Sequence, residues 1–147
     1  MITIRIQSED FDISTEVANL DADGGGAVVT FTGIVRPDAG LDALRLEHYP
    51  QMTEREIARI AKEAQTHWPL LGISIIHRIG RLMVGENIVF VAVAAAHRGA
   101  AFQACEFLMD YLKTKAPFWK QEERGAATSW VEARDSDEHA AGRWRNE

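Results

Sequence analysis

The sequence predicts an α+β fold, a single domain built on a mixed β-sheet. Three observations predict it. The 147 residues are 46% hydrophobic and 26% charged, enough for one core and too apolar for a disordered chain. Strand-like and helix-like stretches are interspersed without regular strand–helix–strand alternation. No internal repeat, low-complexity tract or linker divides residues 1–147.

The elements follow in order. Ile2, Ile4 and Ile6 alternate with polar residues, as a half-buried strand requires. Asp21 to Gly26 reads as a turn. Ala27 to Thr32 is β-branched and aromatic, a second strand, and Gly33 to Leu41 is a loop carrying Arg36, Pro37 and Gly40. Leu44, Leu46 and His48 alternate again and predict a third strand that ends before Pro50. Thr53 followed by Glu56 is a capping-box pattern. Behind it, Ile57, Ile60, Ala61, Ala64 and Trp68 keep helical spacing until Pro69 ends the helix.

Ile73 to Ile79 and Ile88 to Ala94 are nearly continuous apolar runs joined by a Gly-containing connection. Such runs predict strands covered on both faces. Arg98 to Lys115 predicts the longest helix, apolar around most of its circumference and stopped by Pro117. Ser129 to Ala133 predicts a last strand, and the polar stretch after Asp135 a short helix or a frayed tail.

Composition narrows the function. The net charge of −6 argues against a nucleic-acid binder. One cysteine excludes an internal disulfide framework and a Cys-rich zinc site, and the five histidines show no paired ligand spacing. The longest strongly apolar run, Ile88 to Ala96, is far short of the roughly 20 residues a membrane helix needs. The first residues, MITIRIQSED, lack the apolar core of a secretion signal, so a cytoplasmic protein is expected.

The acidity sits at the ends: residues 1–50 alone carry three basic and nine acidic groups. The middle holds Arg98, Lys113, Lys115, Lys120 and Arg124. A cluster of cations in an acidic protein suggests a small anionic ligand, although solvated helix ends read the same way. His97 and Arg98 open the long helix, where unpaired backbone N–H groups favour anions. The same pair also reads as a simple cap and a solvated arginine. Lys113 lies about 24 Å along that helix from its start, at roughly 1.5 Å per residue. One small ligand therefore reaches both ends only with help from a second chain. Lys120 follows the Ala116-Pro117-Phe118-Trp119 bend, whose rings suit the wall of a pocket. Lysines near a helix end also merely complement its dipole. Arg36, in its loop, suits bidentate phosphate recognition or plain solvation. Cys105 falls mid-helix among apolar residues and reads as an inert thiol.

Six strings together resemble the large, catalytic subunits of molybdopterin synthases: VVTFTGIVR (28–36), LEHYPQMTE (46–54), HRIG (77–80), AHR (96–98), MDYLKTKAPFWK (109–120) and WVEAR (130–134). They stand in the family's order, and the run from Lys113 to Lys120 is the most specific of them. The resemblance implies an α/β hammerhead-like fold with an additional antiparallel sheet. It implies a sulfurtransferase that converts a cyclic pyranopterin monophosphate into molybdopterin by adding two dithiolene sulfurs. The sulfur would arrive as a C-terminal Gly-Gly thiocarboxylate on a small ubiquitin-like subunit. Two large subunits would pair, with a small subunit at each outer end, and no cofactor or metal is implied.

Carried over by motif position, Lys113 and Lys120 are the implied catalytic residues. Ile34, Val35, Arg36, His97, Arg98, Gln121, Glu122 and Arg134 are the implied substrate-binding positions, beside the two lysines. In the family, part of the pocket comes from the second large subunit, which would bring His97, Arg98 and Arg134 of one chain to the lysines of the other. Ile34 stands where some relatives carry lysine, and Gln121 where a basic residue is common, so neither side chain is expected to be essential. From the residues alone, a non-catalytic module that holds a phosphorylated ligand or an acidic tail also fits, and a thiol-dependent transferase using Cys105 is a third reading.

Overall fold

The computed structural model describes residues 1–20, 22–131, 141, 142 and 144. Among the described residues, eleven elements run in the order β1 (Ile2–Gln7), α1 (Ile13–Asn19), β2 (Ala27–Ile34), β3 (Ala43–His48), α2 (Met52–His67), β4 (Leu70–Arg78), β5 (Gly80–Met83), β6 (Asn87–Ala95), α3 (Arg98–Thr114), β7 (Phe118–Arg124) and β8 (Ala127–Val131). They form two four-stranded sheets, ordered β1-β4-β6-β2 and β5-β3-β7-β8. The first is mixed: β1 and β4 are parallel, and the other pairs are antiparallel. The second is wholly antiparallel. The expected α+β class, with a mixed sheet and an additional antiparallel one, is the architecture found.

The apolar runs of β4 and β6 are buried on both faces, as their composition requires. Ile73, Ile75, Val89, Val91 and Val93 point to one side and meet Ile57, Ile60 and Ala64 of α2 and Ala104, Phe107 and Leu108 of α3. Ile76, Phe90 and Ala92 point to the other, where Phe11, Val17 and Leu20 cover them. At the edge strand β2 the register shifts between Gly33 and Ile34. A Cβ at Gly33 would lie 2.7 Å from Val89 Cγ1, so glycine lets β2 approach β6 at that point.

Four features depart from the sequence reading. The short helix α1 appears where none is expected, capped by Asp12, whose Oδ1 accepts from the Thr15 N–H at 2.9 Å. The connection between β4 and β6 contains the strand β5, and the stretch after Pro117 forms the strand β7. The capping box does not form. The chain enters α2 through a γ-turn in which the Met52 N–H donates to the Pro50 carbonyl at 2.8 Å, with Gln51 at φ 69°. Thr53 then lies inside the helix, fully buried, and its Oγ1 donates to the Pro117 carbonyl at 3.3 Å. That bond ties the start of α2 to the bend before β7.

Candidate active site

The second sheet, the end of α3, the segment after β2 and the facing residues of β2, β4 and β6 line a cavity of about 530 Å³. Its apolar wall includes Leu44, Leu46, Ile88, Met109 and Leu112. Its cations are Arg36, Lys113 and Lys120. Local structure explains each placement. Lys113 occupies the last turn of α3, which Pro117 prevents from continuing. The chain reverses and continues as β7, whose side chains alternate between faces. Phe118, Lys120 and Glu122 therefore face the cavity. Trp119 and Glu123 take the other face, against Tyr49 and Arg81 respectively. Gln121 shares that outer face by the same alternation.

Arg36 belongs to a segment that is fastened at several points. Arg124 donates from Nη2 to Asp38 Oδ2 at 2.9 Å and from Nε to the Ala39 carbonyl at 3.0 Å. Its Nη1 donates to Glu122 Oε1 at 3.1 Å. The Gly125 N–H donates to Asp42 Oδ2 at 2.6 Å. The hydrogen bond to Glu122 contributes most to raising the Arg124 pKa, and the Asp38 charge adds to it.

The implied site residues divide into groups. Ile34, Arg36, Lys113, Lys120 and Glu122 meet at the cavity. Val35 does not: its side chain is 0% exposed and packs with Leu44, Leu46 and Leu82. Its N–H and carbonyl are also used, by Glu86 and Gly85. Val35 thus fixes the path between its two neighbours. Ile34 lines the cavity with an exposed apolar side chain. His97 and Arg98 are exposed at the opposite end of α3, about 23–24 Å from Lys113 at roughly 1.5 Å per residue. His97 occupies the N-cap position, but its side chain makes no capping bond. Arg134 lies outside the described residues.

Among the lining residues that the sequence does not single out is a histidine. His77, near the end of β4, is 9% exposed and borders the cavity. Its ring stacks on Phe118 with centroids 3.7 Å apart and planes 16° from parallel. Nδ1 lies 2.8 Å from the Arg78 carbonyl. Burial pushes the imidazole down to about 4, with the charge of Lys113 acting in the same direction and the Arg78 bond opposing it. The available signal was a histidine inside an otherwise apolar strand, within the HRIG string.

Comparison with known proteins identifies the family. Residues 6–115 match the family model described as MoaE protein. The molybdopterin synthase catalytic subunit of Mesorhizobium japonicum is 54% identical, covering 98% of this chain and 94% of its own. The solved structure of the molybdopterin biosynthesis MoaE protein from Burkholderia ambifaria superposes with a TM-score of 0.85 at 51% identity, over 98% of each chain. The molybdopterin synthase structure from Staphylococcus aureus gives a TM-score of 0.80 at 32% identity, over 86% of this chain and 94% of that one. On the match to the family model and on these near full-length identities, the chain belongs to the MoaE protein family.

Proposed function

We propose that this chain is the catalytic subunit of a molybdopterin synthase. It is a sulfurtransferase that converts cyclic pyranopterin monophosphate to molybdopterin, taking sulfur from the C-terminal thiocarboxylate of a small ubiquitin-like subunit. The observation that carries the reading is the convergence of Arg36, Lys113 and Lys120 on one cavity in a chain of this family. Arg36 holds the cyclic phosphate, for which a guanidinium offers paired donors. Lys113 moves protons as the carbon–sulfur bonds form, and Lys120 stabilises the developing negative charge. The Gly-Gly tail suits the cavity because glycine adds no side chain to a confined path. The sulfur arrives already reduced, so the transfer calls for no redox cofactor.

The remaining cations enter through a second copy. His97 and Arg98, exposed and remote from the cavity of their own chain, complete the cavity of a partner chain together with Arg134. No helix among the described residues is long and apolar enough to cross a membrane. The assembly works in the cytoplasm, as one domain per chain.

The test is reconstitution with the thiocarboxylated small subunit and the pyranopterin precursor, with molybdopterin as the readout. Lys113→Ala and Lys120→Ala are each expected to lose about 100-fold or more in turnover, the scale of a general acid–base group. Turnover like that of the unaltered chain in both variants overturns the catalytic reading. Weaker binding with an unchanged reaction rate assigns the cavity to a binding module instead.

A further inference from the structure

We propose that His77 is a specificity-determining residue of this cavity, whose Nε2 accepts a hydrogen bond from an N–H of the substrate's nitrogen heterocycle. The tautomer follows from one contact. Nδ1 lies 2.8 Å from the Arg78 carbonyl. A carbonyl only accepts, so Nδ1 carries the hydrogen and Nε2 of the neutral ring carries the lone pair. The stack on Phe118 and the Arg78 bond together fix the ring plane, so the lone pair has a set direction. Among the described residues no side chain or backbone group bonds Nε2, while every fully buried side-chain nitrogen and oxygen has a partner. His77 borders the cavity, and Nε2 takes its donor, on this proposal, from the molecule bound there.

The rest of the polar lining supplies the complementary argument. Arg36, Lys113 and Lys120 are donors only, suited to phosphate and carbonyl oxygens. The two carboxylates of the lining, Asp38 and Glu122, already hold Arg124. A pterin also presents N–H donors, and a buried donor without an acceptor loses binding. Beside the hydroxyls of Thr32 and Thr114, His77 is a neutral side-chain acceptor of this set, and its ring is held by the stack on Phe118. Burial and the nearby charge of Lys113 keep the ring unprotonated, which preserves the lone pair at neutral pH.

The inference rests on the cavity's taking a pterin, and the experiment separates the two claims. Titrate the pyranopterin precursor, and separately inorganic phosphate, into the assembled two-subunit complex carrying His77→Phe, His77→Asn or His77→Gln. Phenylalanine keeps the stack without the acceptor. Asparagine places a donor near Nδ1 only, and glutamine restores an acceptor near Nε2. His77→Phe and His77→Asn are expected to weaken precursor binding and raise KM about tenfold or more, with kcat changed less and phosphate affinity unaltered. His77→Gln is expected to stay within about threefold of the unaltered complex. Equal losses in all three variants, or a parallel loss of phosphate affinity, assign His77 a merely structural role and overturn the inference. So does unaltered precursor binding in His77→Asn, which also serves should His77→Phe fail to fold. Failure of the unaltered complex to bind or convert the precursor refutes the pterin reading itself, whatever the variants do.

Discussion

Arg124 Nη2 stands 2.9 Å from Asp38 Oδ2, and this contact joins the segment that carries Arg36 to the strand that carries Lys120. The same guanidinium reaches Glu122 on its own strand and the Ala39 carbonyl across the gap. Three bonds from one planar group define a geometry that an ammonium does not reproduce.

Arg124→Ala is therefore expected to loosen the placement of Arg36 without removing any group that touches substrate. KM for the pyranopterin should rise about tenfold, with a smaller change in kcat, because misplaced binding groups act chiefly through positioning. Arg124→Lys should fail to restore it. The thermal midpoint should move little, since the ion pairs lie at the surface. Steady-state kinetics beside a melting curve checks both halves.

Acid stability should carry the signature of His77. Its native pKa is about 4, and the unfolded imidazole titrates near 6.5. Between those values the unfolded chain binds more protons, so stability is complete above about pH 6.5 and falls as the pH drops toward 4. The loss is about 3 kcal/mol at most, taken from the gap between the two values. Lys113 from α3 and His48 from β3 both disfavour the imidazolium, so neither shields it. Asp10, Glu56 and Glu86 have depressed pKa values and add their own losses at lower pH. Urea unfolding at pH 7 and pH 4.5, compared between the unaltered chain and His77→Gln, isolates the imidazole. Equal pH slopes in the two proteins refute the assignment.

Cys105 should be chemically silent. It is buried in the main core between α2, α3 and the sheet, and burial pushes its thiol up to about 11. An aromatic disulfide reagent at pH 8 should leave it unmodified in the folded chain and titrate it in denaturant. Cys105→Ala should retain sulfur transfer, which removes the thiol-transferase reading. Rapid labelling of the native protein with loss of turnover contradicts this.

The parts legible in the sequence are those whose burial is set locally. The apolar runs of β4 and β6, the girth of α3 and its stop before Pro117 all follow from periodicity. β7 was not legible, because Lys120 and Glu122 face a polar cavity while Glu123 pairs with Arg81 on the outer face. A strand wet on both faces shows no alternation of apolar and polar residues. The helix α1 is seven residues long, too short for a period to register. The juxtaposition of Lys113 and Lys120 was within reach because only the Pro117 bend separates them. The tie between Arg124 and Asp38 spans 86 positions and leaves no local trace.

Thr53 shows the same limit and yields a further prediction. Local spacing assigned its hydroxyl to a helix cap, but the hydroxyl serves Pro117, 64 positions away. Thr53→Val keeps the shape and leaves that carbonyl without its donor. A loss of about 1–2 kcal/mol in urea unfolding is expected, and Thr53→Ser should recover most of it. A neutral Thr53→Val would show that the bond contributes nothing to anchoring β7.

The proposed pairing of two chains around each cavity makes a quantitative prediction. Lys113→Ala removes a cavity lysine, and Arg98→Ala removes a cation about 23 Å away on the same helix, at roughly 1.5 Å per residue. Each variant alone should be nearly inactive. In a mixed dimer, one cavity combines an intact Lys113 from one chain with an intact Arg98 from the other, and the second cavity lacks both. Random pairing of equal amounts makes half the dimers mixed, each with one working site of two. Co-refolding the two variants should therefore restore about a quarter of full activity, the share that two-fold symmetry dictates. Recovery at that level, with none on mixing Lys113→Ala with Lys120→Ala, places the arginine in its partner's site. No recovery in either mixture confines each cavity to its own chain.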